Sequence, residues 1–411
     1  MIPLIQFELR KMVRRKATFA GMAIIVIISI LLTLSTVSGE SRTDQNGKEI
    51  TGLSAISLAR EQTHEQAGRL TTKKIGAAIE RYHAARNNPE NLNGEELSDK
   101  AYGQTEQKDA EILSLIRQIY SPKAGYDYYV INKLTSADAS HFYQKRMDKV
   151  QEYLDTDYTY GNYSVEDKAF FLKMNQKIAV PFAFDYTDGW KNVLLNLWII
   201  IFAAAFIVCV CVSPVFSGEY QSGADSIILS SRYGRSKVIR AKLWASIILT
   251  TGLFLASILI FTLLILAIYG YFGWNSNLQI IQFRAPFPLT LMETYIWSVL
   301  LGFLACLLMM TFTLVLSAKM KAPFYVIICS AIVLLGPMFI PYSKSSRFFN
   351  HIINLFPVKM MNGYSSFSHY ELYHVLGYSI PEPYAMAGTA VILSFVLLPL
   401  AYKGFRNHQV A

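Results

Sequence analysis

The chain has 411 residues, of which 53% are hydrophobic and only 16% charged, with a formal net charge of +9. That composition excludes an ordinary soluble domain and fits a polytopic membrane protein. The basic balance does not point to nucleic acid either. Residues 40–188 hold 19 basic and 23 acidic side chains, and the remainder holds 19 and 6, so the positive charge lies beside the apolar runs, as a topology signal does.

A bilayer core of about 30 Å takes roughly 20 apolar residues of helix. Six runs meet that need in chain order: 17–37, 190–216, 243–272, 295–318, 322–342 and 384–402. The first, preceded by Arg10, Lys11, Arg14, Arg15 and Lys16, is too long for a signal-peptide core and lacks an A-x-A-like site, so it is predicted to stay uncleaved. Fourteen bases flank the runs on one side, namely those five, Arg232, Arg235, Lys237, Arg240 and Lys242, then Lys319, Lys321, Lys403 and Arg406; only Arg284, Lys344, Arg347 and Lys359 lie in the short loops opposite. The positive-inside rule therefore predicts cytoplasmic termini (1–16 and 403–411), a cytoplasmic loop at 217–242, and outer segments at 38–189, 273–294 and 343–383.

The outer insert, residues 38–189, reads as mainly helical and large enough for an independent core. Ile112, Leu115, Ile116 and Ile119 fall on one helical face; Phe142, Met147, Val150 and Leu154 fall on another, behind a Thr135-x-x-Asp138 cap. Ser164-x-x-Asp167 is a second cap, and residues 87–96 form a turn-rich break. Tyr126, Tyr128, Tyr129, Tyr143, Tyr153, Tyr158, Tyr160 and Tyr163 read as core packing and an interfacial rim rather than as a docking surface. The four cysteines, Cys209, Cys211, Cys306 and Cys329, all lie in apolar runs and read as small apolar side chains, with no metal-site spacing.

What the runs lack limits the function. No Asp, Glu, Lys, Arg or His occurs in 192–218, 243–283, 294–318, 322–343 or 384–402. Ion- and proton-coupled carriers mark their pathways with such groups, and ion channels need charge or a filter. No phosphate-binding loop, dinucleotide fingerprint, nucleophile–base pair or H-E-x-x-H is present, so neither a motor nor an enzyme is encoded here. No catalytic, metal or cofactor residue is predicted.

The loop SGEYQSGADSIILSSRYGRSKVIRAKLW, 217–244, is then the informative stretch. Its first half predicts a short amphipathic helix with Ile227, Ile228 and Leu229 as apolar contacts and Gly223 permitting close backbone approach, suited to a groove on a soluble partner. Its basic half, Arg232, Arg235, Lys237, Arg240 and Lys242, predicts anchoring to anionic head groups.

Glu219, Gly223, Leu229, Ser230, Arg235 and Lys242 stand at spacings that resemble the coupling loop of ABC-2 type permeases, and MIPLIQFELRKMVRRKATF resembles that family's interfacial elbow helix. The likeness departs at Arg232, where the family usually has proline. It implies an all-α polytopic fold of six transmembrane helices with a mainly helical extracellular domain inserted between the first two, as in Gram-positive permeases with a large outer domain. It further implies a bacterial plasma-membrane location, export of an amphipathic, peptide-like or lipid-like substrate, two cytosolic ABC ATPase subunits that hold ATP and Mg, and a second permease copy. Glu219, Gly223, Ile227, Ile228 and Leu229 would be the ATPase-coupling residues, and 351–367 would supply re-entrant helices, although the aromatic- and proline-rich outer segments 278–288 and 348–378 read equally as an interfacial belt. A different class, a membrane sensor signalling through the same loop, is the alternative.

Overall fold

The structure is a computed structural model that describes residues 1–94 and 96–408. Glu95 of the turn-rich break and residues 409–411 of the predicted tail lie outside the described residues.

Helix α1 (Ile2–Val13) precedes α2 (Lys16–Ser38), which at 23 residues is about 34 Å long. Its polarity is that of a helix in oil. Phe19, Ile24, Ile27, Leu31 and Leu34 point outward, whereas Gly21, Ser29 and Thr33 face the bundle. Small and hydroxyl side chains allow close approach, and Ser29 and Thr33 return their hydroxyls to the Ile25 and Ser29 carbonyls.

The inserted domain carries α3 (Leu53–His64), α4 (Thr72–Asn87), α5 (Asp99–Gln104), α6 (Ala110–Tyr120), α7 (Phe142–Leu154) and α8 (Val165–Gln176). Short antiparallel pairs join Ser41–Thr43 to Glu49–Thr51 and Gly68–Arg69 to Ala183–Phe184. Both predicted caps form as reciprocal boxes, although Thr135 and Asp138 cap a 3-10 turn, Ser136–His141, that leads into α7. The predicted faces are buried at Ile112, Leu115, Ile116, Ile119, Phe142, Val150 and Leu154.

The expectation of an independent core is corrected. Phe283, from the loop before the fourth predicted span, joins the cluster of Ile79, Ile116 and Phe142, and Tyr370 and Leu372 join Tyr163 and Phe171. Arg146, buried where Met147 was expected to turn in, donates to the Phe283 carbonyl at 2.7 Å, to Asn175 Oδ1 at 2.9 Å and to the Ala285 carbonyl at 3.3 Å. A loop carbonyl without a strand partner needs such a donor when it is buried. Tyr153 meets Tyr370 at a tilt and Tyr163 meets Phe171 edge-on, with Tyr158 edge-on to Tyr153 and Tyr163, whereas Tyr126, Tyr128 and Tyr129 are exposed.

The bundle continues with α9 (Asp188–Val212), then α10 (Ser217–Ser222) and α11 (Ala224–Ser230), then α12 (Ile239–Tyr269), α13 (Leu291–Lys319) and α14 (Pro323–Leu335). Next come α15 (Arg347–Asn354), α16 (Pro357–Met360) and α17 (Gly363–Ser368), a hairpin pairing Leu372–Val375 with Tyr378–Pro381, and α18 (Glu382–Arg406). Helix α9 packs on α2, α12 and α13, and α13 lies along α18.

Among the described residues five helices are long and apolar enough to cross a membrane, where six were expected. The difference is α14, whose 13 residues end at a 3-10 turn, Gly336–Met338. Pro337 has no amide hydrogen to continue the helix, although the apolar run does continue. The four cysteines are free. Helices α16 and α17 tuck into the bundle: Val358, Met360 and Met361 belong to its core, and a Cβ on Gly363 would stand 2.6 Å from the Ser298 backbone.

Candidate functional site

Helix α9 stops where Pro214 leaves helical geometry, at φ −89° and ψ 15°. A break inside an apolar bundle frees backbone groups that need partners. Ser317 of α13 supplies them. Its Oγ accepts from the Phe216 and Ser217 amides, both at 3.0 Å, and donates to the Ser213 carbonyl at 2.6 Å. The chain then turns into α10 and α11, held by Tyr220, whose hydroxyl reaches the Ala318 carbonyl at 2.9 Å and whose ring stacks on Phe405.

Lys242 stands in the first turn of α12, which continues from a π-helical turn at Gly234–Val238. It is 1% exposed and is compensated by two carboxylates: Nζ donates to Glu219 Oε1 at 2.6 Å and to Glu8 Oε2 at 3.1 Å. Lys11 Nζ reaches the same Glu219 oxygen at 2.7 Å. One buried charge cluster thus joins α1, α10 and α12. Burial pushes the Glu219 carboxyl up, but the Lys242 charge and the hydrogen bonds from Lys11 and Lys242 more than reverse this and hold it below its ordinary value. Burial also pushes the nearby Arg15 guanidinium down, against the pull of Glu219 and Glu8.

The predicted site residues divide by side. Glu219 and Leu229 face inward, 4% exposed each, so neither offers the partner contact expected of it; Glu219 is held by ions and Leu229 packs in the bundle core. Ile227 is 75% exposed and Ile228 is half-buried. Gly223 separates two short helices instead of lying within one, with φ +71° and, among the described residues, nothing beyond its chain neighbours within 4 Å of a built Cβ, so close approach to these residues is not its reason. Its left-handed backbone is. The close approach belongs to Gly234, which the sequence reading passed over: a Cβ there would stand 1.6 Å from the Ile228 carbonyl oxygen.

The basic half divides likewise. Lys242 cannot reach a head group, because it is committed to the two carboxylates. Arg235 donates to the Leu229 carbonyl at 3.2 Å, closing α11, and to the Arg406 carbonyl at the end of α18. Arg232 and Lys237 both lie over the loop's Tyr233 ring, 5.3 and 3.9 Å from its centroid, and Arg240 is exposed. Beyond the predicted set, Glu8, Lys11, Ser317 and Gly234 complete the site. Glu8 carried a signal, as the lone acid in a basic helix.

The cluster holds no nucleophile, and among the described residues no three His, Cys, Asp or Glu are grouped to hold a metal. What the cluster does is hold: its ion pairs tie α1, α10 and α12 to one another.

The model of a family described as ABC-2 family transporter protein matches residues 2–405. No curated protein and no solved structure matches the chain. With nearly its whole length matched and a bundle of apolar helices to support the match, the chain belongs to the ABC-2 transporter family, as an ABC-2 type permease.

Proposed function

We propose that this chain is the transmembrane permease subunit of an ATP-driven exporter. Two cytosolic ABC ATPase subunits, which hold ATP and Mg, dock on the exposed face of α10 and α11, with Gly223 and Ile227 at the contact. Their closure drives a pair of permeases between inward- and outward-facing states. Both termini and 217–242 lie in the cytoplasm, the inserted domain lies outside a bacterial plasma membrane, and α14 with its following turn is the sixth, short span. Helices α15–α17 are the re-entrant segment. The absence of ionisable groups along the mid-span apolar runs suits an amphipathic, peptide-like or lipid-like cargo.

The observation that carries this reading is the Glu8–Lys242–Glu219 cluster. A push on α10 needs a stiff joint to reach the spans, and Glu219 ties α10 to the first turn of α12 at 2.6 Å. The test is a mild-detergent pull-down of the whole chain from its native membrane, followed by mass spectrometry and an ATPase assay. A co-purifying ATPase, lost when Ile227 is replaced by Asp, is the expected result. Recovery of the chain with a kinase, or with no ATPase, would overturn the reading in favour of a sensor.

A further inference from the structure

The opposite end of the bundle, where α18 begins, holds a cavity of about 540 Å³ between α15–α17, the start of α18 and the inserted domain. Its charges are unevenly used. Glu371 takes His351 Nε2 at 2.8 Å and faces Arg347 Nε at 3.3 Å, and Glu382 takes Asn354 Nδ2 at 2.8 Å. Three cations line the same space: Lys344, Arg347 and Lys359.

Among the described residues neither lysine ammonium donates a hydrogen bond or lies within ion-pair distance of a carboxylate. The Lys359 ammonium only rests over the Tyr342 ring, 4.6 Å from its centroid. Arg347 spends Nη1 on the Asn162 carbonyl at 3.2 Å and stacks on Tyr163, but its Nη2 is buried without an acceptor. A half-buried cationic donor with no acceptor is costly, as at Arg347 and Lys359, and the exposed Lys344 brings a third like charge to the same concave space, where the three repel one another. An anion relieves both costs. The remaining wall includes Tyr153, Tyr160, Tyr342 and Met386, which give an apolar body a surface to lie on.

We propose that this cavity binds an amphiphile with an oxyanion head, phosphate or carboxylate, held by Lys344, Lys359 and the free Nη2 of Arg347, its apolar body against Tyr160, Tyr342 and Met386. Assigning the site to the outer face rests on the orientation proposed above; the binding itself does not. Lys344 and Lys359 set the affinity, because their charges are otherwise unspent. Arg347 also fixes α15 to the inserted domain.

The test uses the full chain in lipid nanodiscs, titrated with hexyl phosphate, hexanoate, inorganic phosphate and hexyltrimethylammonium while the unfolding midpoint is followed. A saturable rise with hexyl phosphate or hexanoate is expected, and the stronger of the two names the head group. K344M/K359M should weaken that ligand by roughly tenfold or more. Neither substitution removes a described hydrogen bond, so the fold should persist, as the midpoint without ligand will show. An equal response to the quaternary ammonium, or an unchanged affinity in the double variant, overturns the proposal. Inorganic phosphate binding as tightly as hexyl phosphate overturns the amphiphile. No ATPase is present in the assay, so this result and the pull-down fail or succeed separately.

Discussion

Lys242 and Glu219, 23 positions apart in sequence, meet at 2.6 Å in the interior of the protein. Removing the cation leaves the Glu8 carboxylate without its ion pair and Glu219 with Lys11 alone. Lys242→Met should therefore lower stability by roughly 3–5 kcal/mol. The triple variant E8Q/E219Q/K242M should recover most of that loss, since no buried charge of the pair remains. Thermal unfolding of the wild type, K242M and the triple variant checks both, and a triple variant no better than K242M refutes the electrostatic account.

The same pair sets an acid limit. The folded-state pKa of Glu219 lies below its ordinary value of 4.5, so the ionised form contributes stability that is fully present above that value. As the pH falls through the lower folded value, the contribution is lost. Proteolysis of the 217–242 loop should accelerate below about pH 4.5 in the native protein. In E219Q the acceleration should be blunted, and an identical pH profile would exclude Glu219 as its source.

Two neighbouring apolar residues of α11 should behave oppositely. Ile227→Asp changes an exposed position and should leave stability within about 0.5 kcal/mol while abolishing partner capture. Leu229→Asp buries an unpaired charge and should cost several kcal/mol or prevent folding. Expression level and melting temperature separate the two, with the pull-down as the second readout for Ile227.

The two loop glycines should also separate. Gly223→Ala meets no atom and pays only for left-handed backbone, about 1–2 kcal/mol. Gly234→Ala drives a methyl into the Ile228 carbonyl and should disrupt the junction of α11 and α12. Hydrogen exchange of residues 224–240 should rise sharply in G234A and little in G223A.

Arg146→Met should loosen the inserted domain from the bundle, at a cost of about 3 kcal/mol, because the Phe283 carbonyl and Asn175 Oδ1 lose their donor while the Ala285 carbonyl keeps only Gln279. Arg146→Lys should fall between, since an ammonium cannot reproduce the planar fork. Exchange rates of residues 278–288 report the change directly.

The apolar runs and the positions of Glu219 and Lys242 in the 217–242 loop were legible because each is a local pattern or a spacing, but the roles expected of those two, a partner contact and a head-group anchor, were not the buried ion pair the structure gives them. Their partners were not legible: Glu8 lies 234 positions from Lys242, and no short-range rule pairs them. The inward side of α11 was equally hidden, because a seven-residue helix with three consecutive apolar residues has no periodicity to read. The fifth run looked long enough because hydropathy ignores the amide that Pro337 lacks. The shared cores escaped for a different reason: Phe283 and Tyr370 come from segments that, by themselves, read as interfacial belts.

Because Arg146 grips the loop before α13, and Tyr370 beside the start of α18 completes a core of the inserted domain, that domain is no bead on a string. Any displacement of α13 relative to α18 would therefore have to distort those shared cores, so the domain braces the two helices against each other.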